Sequence, residues 1–188
     1  MLDFFLNFPA PLVVIYALSE LLVLRFKRKD SYADDHDDGS LQLVVLCTMA
    51  GFTLFGLGML VPQARLALLA PLFKPAIGVF ALGLFLRWYA ILRLGRSFTT
   101  EVAIVVGHTL VDTGLFRFVR HPSYAGLVLM LLAIGIRSGN VVALVLLEGP
   151  VIAGLLYRIR IEEAALTEAF PEYADYMRKT WRLIPFLY

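Results

Sequence analysis

The sequence predicts an all-α integral membrane protein with about five transmembrane helices, a polar cytoplasmic loop and short C-terminal helices, in one domain over residues 1–188. Three observations carry this. Hydrophobic residues make up 60% of the 188 and charged residues 17%, whereas soluble domains hold about 45–50% and about 25%. Five apolar runs are separated by polar links. Lys and Arg gather on one side of the resulting topology, as membrane insertion favours.

The first run, residues 9–24, opens on Pro9 and Pro11 and contains one charge, Glu20. No basic segment precedes it, so it reads as a retained helix and not a cleaved signal. Arg25, Lys27, Arg28 and Lys29 follow, then an acidic stretch in which His36 stands among Asp34, Asp35, Asp37 and Asp38. A metal site needs ligands held by a rigid scaffold, so this stretch reads as a solvated loop with no metal.

Residues 41–61 carry no charge and are long enough for a hydrocarbon core of about 30 Å. Gly51, Gly56 and Gly58 are expected to permit close helix packing. Residues 62–70 are a short link, and residues 71–92 are a third span. Arg87 lies in that span beside Trp88 and Tyr89. It reads as an arginine snorkelling to the interface, the alternative being a group that faces the protein interior. Cys47 is the only cysteine, which excludes an intramolecular disulfide and a cysteine-based metal centre.

Residues 93–121 form a long polar connection, in which Val102–Val106 resembles a short strand. A loop of this length in a compact protein points to function. Residues 122–136 are a shorter apolar helix, Arg137–Asn140 a turn, and 141–160 a fifth span containing Glu148, Gly149 and Pro150, a combination expected to kink it. The helix is expected to run past the membrane through Arg158, Glu162 and Glu163. Pro171 then breaks it, and 172–179 form a second short helix. Thirteen of the 17 Lys and Arg residues fall on the side of the 25–40 loop, the 93–121 loop and the C-terminal tail. Only Arg65, Lys74 and Arg137 fall opposite. The N-terminus is therefore expected outside, and the polar loop and C-terminus in the cytoplasm. The net charge of +2, with no basic stripe, argues against nucleic-acid binding.

The most informative stretch is 107–126, GHTLVDTGLFRFVRHPSYAG. Pro122 suits the first position of a helix. The N–H groups of that first turn, with Arg120 and His121, form a site suited to an anion. His121 and Tyr124 are spaced to share one helix face. A basic loop that merely anchors two helices is the structural alternative. Arg158 and Glu162 likewise share a face, which by itself is satisfied by a helix salt bridge.

HTLVDTGLFRFVRHPSYAG, then Arg158-x-x-x-Glu162-Glu163-x-x-Leu166, Phe170-x-x-Tyr173-x-x-Tyr176 and the ending RLIPF together resemble the isoprenylcysteine carboxyl methyltransferase family. Leu94-Gly95-Arg96-Ser97-Phe98 resembles its bacterial members. The resemblance covers roughly residues 87–186. It implies methyl transfer from S-adenosylmethionine to a carboxylate on a prenylated cysteine, a lipid-modified or amphipathic acceptor, at the bilayer. It further implies cofactor contacts from His108, Thr109, Leu110 and Val111, from His121, Pro122, Ser123 and Tyr124, and from Glu162, so that residues 94–126 and 158–186 form the cofactor region. Arg158 is implied as the catalytic residue that binds the acceptor carboxylate. Phe116 stands where the family has a cofactor-contacting tyrosine.

The chemistry agrees with these residue types. A carboxylate is already ionised at neutral pH, so it needs no general base, and alignment and charge placement remain as the enzyme's tasks. Three other classes are weighed against this one. A membrane reductase using NADPH, of the sterol-reductase type, would share the helical core. A phospholipid or small-molecule methyltransferase would keep the cofactor and change the acceptor. A scaffold or transport component would place its polar groups near the midplane and not on one side.

Overall fold

The computed structural model describes residues 9–25, 39–95 and 110–185. Six α-helices run through them: α1 (Ala10–Arg25), α2 (Ser40–Gly58), α3 (Phe73–Leu94), α4 (Pro122–Arg137), α5 (Val141–Ala169) and α6 (Tyr173–Lys179). Among the described residues the only β pairing consists of two isolated bridges. Three segments are long and apolar enough to cross a membrane: Ser40–Gly58, Ala67–Leu94 and Val141–Ala169. Helix α4 is a shorter apolar helix, and α1 has 16 residues. The expected strand at 102–106 and the acidic loop at 34–38 lie outside the described residues.

The element boundaries have local causes. Helix α2 ends at Gly58, short of the expected residue 61, because the chain turns into a 3-10 segment at Pro62. Pro71 sits in a second 3-10 segment, Ala67–Leu72, so α3 begins only at Phe73. Pro150 does not interrupt α5, which is assigned as one helix of 29 residues. Membrane helices tolerate an internal proline because their surroundings re-satisfy the freed backbone groups. This continuity carries Arg158, Glu162 and Glu163 on the same rod as the apolar segment.

Helix α2 packs along α5, α3 along α4, and α4 against α5. Two of the three glycines expected to allow close packing do so. A Cβ on Gly51 would lie 2.7 Å from the Leu147 carbonyl oxygen, and one on Gly58 would lie 2.7 Å from Ala143 Cα. Gly56 has nothing within 4 Å of such a Cβ, which corrects the expectation for it. Gly83 of α3 performs this role against α4, where a Cβ would meet the Gly126 carbonyl at 2.6 Å. Small residues let helix backbones approach closely, and van der Waals contact then holds them. The core formed this way includes Phe80, Met130, Leu131, Ile134, Leu147, Val151 and Leu155.

At the end of the bundle away from the polar loop, fully buried Asn140 ties the end of α2 to the start of α5. Its Nδ2 donates to the carbonyls of Gly58 at 3.0 Å and Val61 at 2.9 Å, while its Oδ1 accepts from the Ala143 N–H and caps α5. One side chain thus satisfies backbone groups that α2 and α5 leave open at their ends.

Candidate active site

The segment that enters α4 is held from both sides before the helix begins. A 3-10 turn, Gly114–Arg117, starts at Gly114 with φ 65°, a left-handed conformation suited to glycine. The chain then pairs with the C-terminal tail. The Trp181 N–H donates to the Phe118 carbonyl at 2.9 Å, the Arg120 N–H to the Trp181 carbonyl at 2.8 Å, and the His121 N–H to the Arg182 carbonyl at 3.0 Å. The Tyr176 hydroxyl donates to the Phe116 carbonyl at 2.6 Å. Burial raises the Tyr176 phenol above its ordinary range. Tyr173 is raised likewise by burial, and then by the Glu163 and Glu162 carboxylates. Both hydroxyls therefore stay protonated.

His121 occupies the position before α4 without a side-chain capping bond, and Pro122 occupies the first turn, as expected for the proline. The His121 and Tyr124 rings stack, with centroids 5.4 Å apart and planes at 12°, so the two do share a face. The expectation that Arg120 helps to bind an external anion is corrected. Its Nε donates to Glu163 Oε1 at 2.7 Å, and its Nη1 donates to the Met177 carbonyl at 3.0 Å and to the Thr180 carbonyl and hydroxyl. Arg120 therefore ties α4's entrance to α5 and to the tail.

Glu163 is the hub of that tie. Besides Arg120, it receives Arg182 Nε on Oε2 at 2.9 Å, and His121 Nε2 lies 3.4 Å from Oε1. Its side chain is only 6% exposed. With both oxygens engaged by cations it braces the structure and offers no face to a ligand. The neighbouring Glu162 differs. Its side chain is 29% exposed, and Oε2 accepts from the Tyr124 hydroxyl at 2.8 Å. The same hydroxyl accepts from Arg158 Nε at 2.8 Å. Tyr124 therefore bridges Arg158 and Glu162, which replaces the simple helix salt bridge as the account of their spacing. Arg158 is buried, and its Nη1 donates to the Ser40 hydroxyl at the start of α2 at 2.9 Å.

The structure thus brings together His121, Pro122, Ser123, Tyr124, Arg158 and Glu162 at one end of α4 and α5. Phe116 is buried nearby and contributes its carbonyl to Tyr176. Leu110 and Val111 are described as irregular chain leading into this region. His108 and Thr109 lie outside the described residues. Sequence reasoning missed the roles of Glu163, Arg182 and Ser40. The one available signal was the run of a second glutamate after Glu162, opposite an arginine that precedes His121.

The site's chemistry fits S-adenosylmethionine. The part-exposed Glu162 carboxylate accepts hydrogen bonds from hydroxyl or ammonium groups, beside the stacked faces of His121 and Tyr124. Arg158 carries the planar guanidinium that pairs with carboxylates through charge-assisted bonds.

Residues 76–168 match the isoprenylcysteine carboxyl methyltransferase (ICMT) family. The chain is 35% identical over 115 residues to the protein-S-isoprenylcysteine O-methyltransferase of Schizosaccharomyces pombe, covering 60% of this chain and 49% of that one. It is 31% identical over 109 residues to protein-S-isoprenylcysteine O-methyltransferase B of Arabidopsis thaliana, covering 56% and 55%. It is 33% identical over 82 residues to the uncharacterized protein YpbQ of Bacillus subtilis, covering 44% and 49%, which is compatible with a bacterial-type member. The chain spans about half the length of the curated relatives it matches. The family match runs through residues 76–168, which contain α4 and nearly all of α5, and through them this chain resembles the isoprenylcysteine carboxyl methyltransferase family.

Proposed function

We propose that this protein is a membrane-bound carboxyl methyltransferase that uses S-adenosylmethionine and methylates a carboxylate on an isoprenylcysteine-like acceptor with a lipid tail. The observation that carries the reading is the linked set Glu162–Tyr124–Arg158 within the family-matched segment. S-adenosylmethionine supplies an activated methyl group, which an ionised carboxylate accepts without a general base. His121, Pro122, Ser123, Tyr124 and Glu162 hold the cofactor, with His108, Thr109, Leu110, Val111 and Phe116 completing its surroundings. Arg158 orients the acceptor carboxylate by its planar fork.

Arg158 stands where α5 passes from its apolar part to Arg160, Glu162 and Glu163. At that depth a carboxylate meets the arginine while its lipid tail remains among the helices or in the bilayer. The polar cofactor arrives from the loop side. In this reading α1 and α4 complete a five-span protein with the N-terminus outside and the site cytoplasmic, as the distribution of Lys and Arg supports.

The test is transfer of labelled methyl from S-adenosylmethionine by purified protein to prenylcysteine analogues, phospholipids and fatty acids. The proposal expects label on the prenylcysteine carboxyl. Label on lipid alone would change the acceptor. Binding of NADPH, with no binding of S-adenosylhomocysteine, would overturn the methyltransferase reading.

A further inference from the structure

Arg87 does not snorkel, contrary to the sequence expectation. It is 8% exposed and faces the interior of the bundle, and the reason is a partner on another helix. Its Nε donates to Glu20 Oε1 and its Nη2 to Glu20 Oε2, each at 2.6 Å. The third arm, Nη1, donates to the Ser123 hydroxyl at 3.0 Å. One residue along on each helix, Trp88 Nε1 donates to the Ser19 hydroxyl at 2.9 Å. Two consecutive residues of α1 are therefore fastened to two consecutive residues of α3.

We infer that the Glu20–Arg87 pair is a positioning device for the cofactor site, which makes α1 part of the functional unit. Glu20 lies outside the family-matched residues 76–168, whereas Ser123 lies in the first turn of α4 between His121 and Tyr124. The two-point pairing with Glu20 fixes the plane of the Arg87 guanidinium. With that plane fixed, the remaining Nη1 points at Ser123 and holds the first turn of α4. The Gly83–Gly126 crossing brings α4 against α3 beside Arg87: a Cβ on Gly126 would lie 2.7 Å from the Arg87 backbone nitrogen. Arg87 therefore controls the turn from a short, closely packed distance. Glu20 acts through Arg87 and touches no substrate.

The inference rests on the cofactor reading above. Its test is calorimetric titration of S-adenosylhomocysteine into the full-length protein in detergent, for wild type, Glu20→Gln and Glu20→Asp, with helical circular dichroism on each. Glu20→Gln keeps the shape and loses the charge, so affinity should fall about tenfold, the scale of losing an orienting partner behind a ligand. Glu20→Asp keeps the charge and should restore most of that loss. In methyl transfer, the KM for a prenylcysteine acceptor should stay within about threefold of wild type, since only the cofactor side is disturbed. Wild-type affinity in Glu20→Gln overturns the inference. Loss of binding together with loss of the helical signal also overturns it, because the pair would then be a plain structural brace. If wild type itself binds no S-adenosylhomocysteine, the functional reading falls and takes this inference with it.

Discussion

Glu148 and Glu163 are both buried carboxylates on α5, about 22 Å apart along the helix axis at 1.5 Å per residue. Glu163 stands at the loop end, with Arg120 and Arg182 donating to its two oxygens and His121 beside them. Glu148 stands within the apolar part, where neither oxygen has a hydrogen-bond partner among the described residues. Burial is similar, but among the described residues only the loop end supplies cationic side chains, from the entrance of α4 and from the C-terminal tail. The difference shows that partners, and not depth alone, decide whether a buried charge holds a fold together. Glu162, next to Glu163 but part-exposed, is the third case: a carboxylate left accessible to a ligand.

The largest expected effect breaks the loop end. Glu163→Ala leaves Arg120 and Arg182 facing each other without their shared carboxylate, a loss worth about 3–5 kcal/mol. The thermal midpoint in detergent should fall by about 10 °C, followed by circular dichroism, and binding of S-adenosylhomocysteine should fall with it. A midpoint equal to wild type would mean that the tail and α4's entrance are held by other contacts.

The opposite sign is expected at Glu148. Glu148→Met keeps the volume and removes two unpartnered oxygens, so it should stabilise by about 1–3 kcal/mol. A lower thermal midpoint in this variant would mean that Glu148 has a partner beyond the described residues, and the contrast with Glu163 would narrow.

A smaller and more local effect is expected at Tyr124. Tyr124→Phe removes the hydroxyl that links Arg158 to Glu162 and keeps the ring that stacks on His121. Affinity for S-adenosylhomocysteine should drop about tenfold, as for the loss of a hydrogen bond to a charged group. Unchanged calorimetric affinity would show that Glu162 needs no alignment by Tyr124.

Local signals made much of this legible in the sequence. Pro122 announces the start of α4, Pro171 stops α5, and the apolar runs mark the helices within a few residues. The spacing of His121 and Tyr124 gives their shared face. What was not legible depends on chain segments distant in sequence. Nothing local to Arg87 names Glu20 on α1 as its partner, so it read as a snorkelling residue. Nothing local to Glu163 distinguishes it from Glu162, since the distinction comes from Arg120 and Arg182. Ser40 reads only as the edge of an apolar run, yet the α2–α5 packing brings its hydroxyl to Arg158. Gly56 looks like Gly51 and Gly58 in the sequence, and only the position of α5 separates them.

The central claim is that Glu162 serves a ligand while its neighbour Glu163 serves the fold. The most direct measurement is titration of S-adenosylhomocysteine into purified wild type and Glu162→Gln, with thermal unfolding of each in the same detergent. The account predicts binding by wild type, and at least about tenfold weaker binding by Glu162→Gln. It also predicts that the two midpoints agree within about 2 °C. Wild-type affinity in Glu162→Gln, or a midpoint that falls as far as in Glu163→Ala, would contradict it.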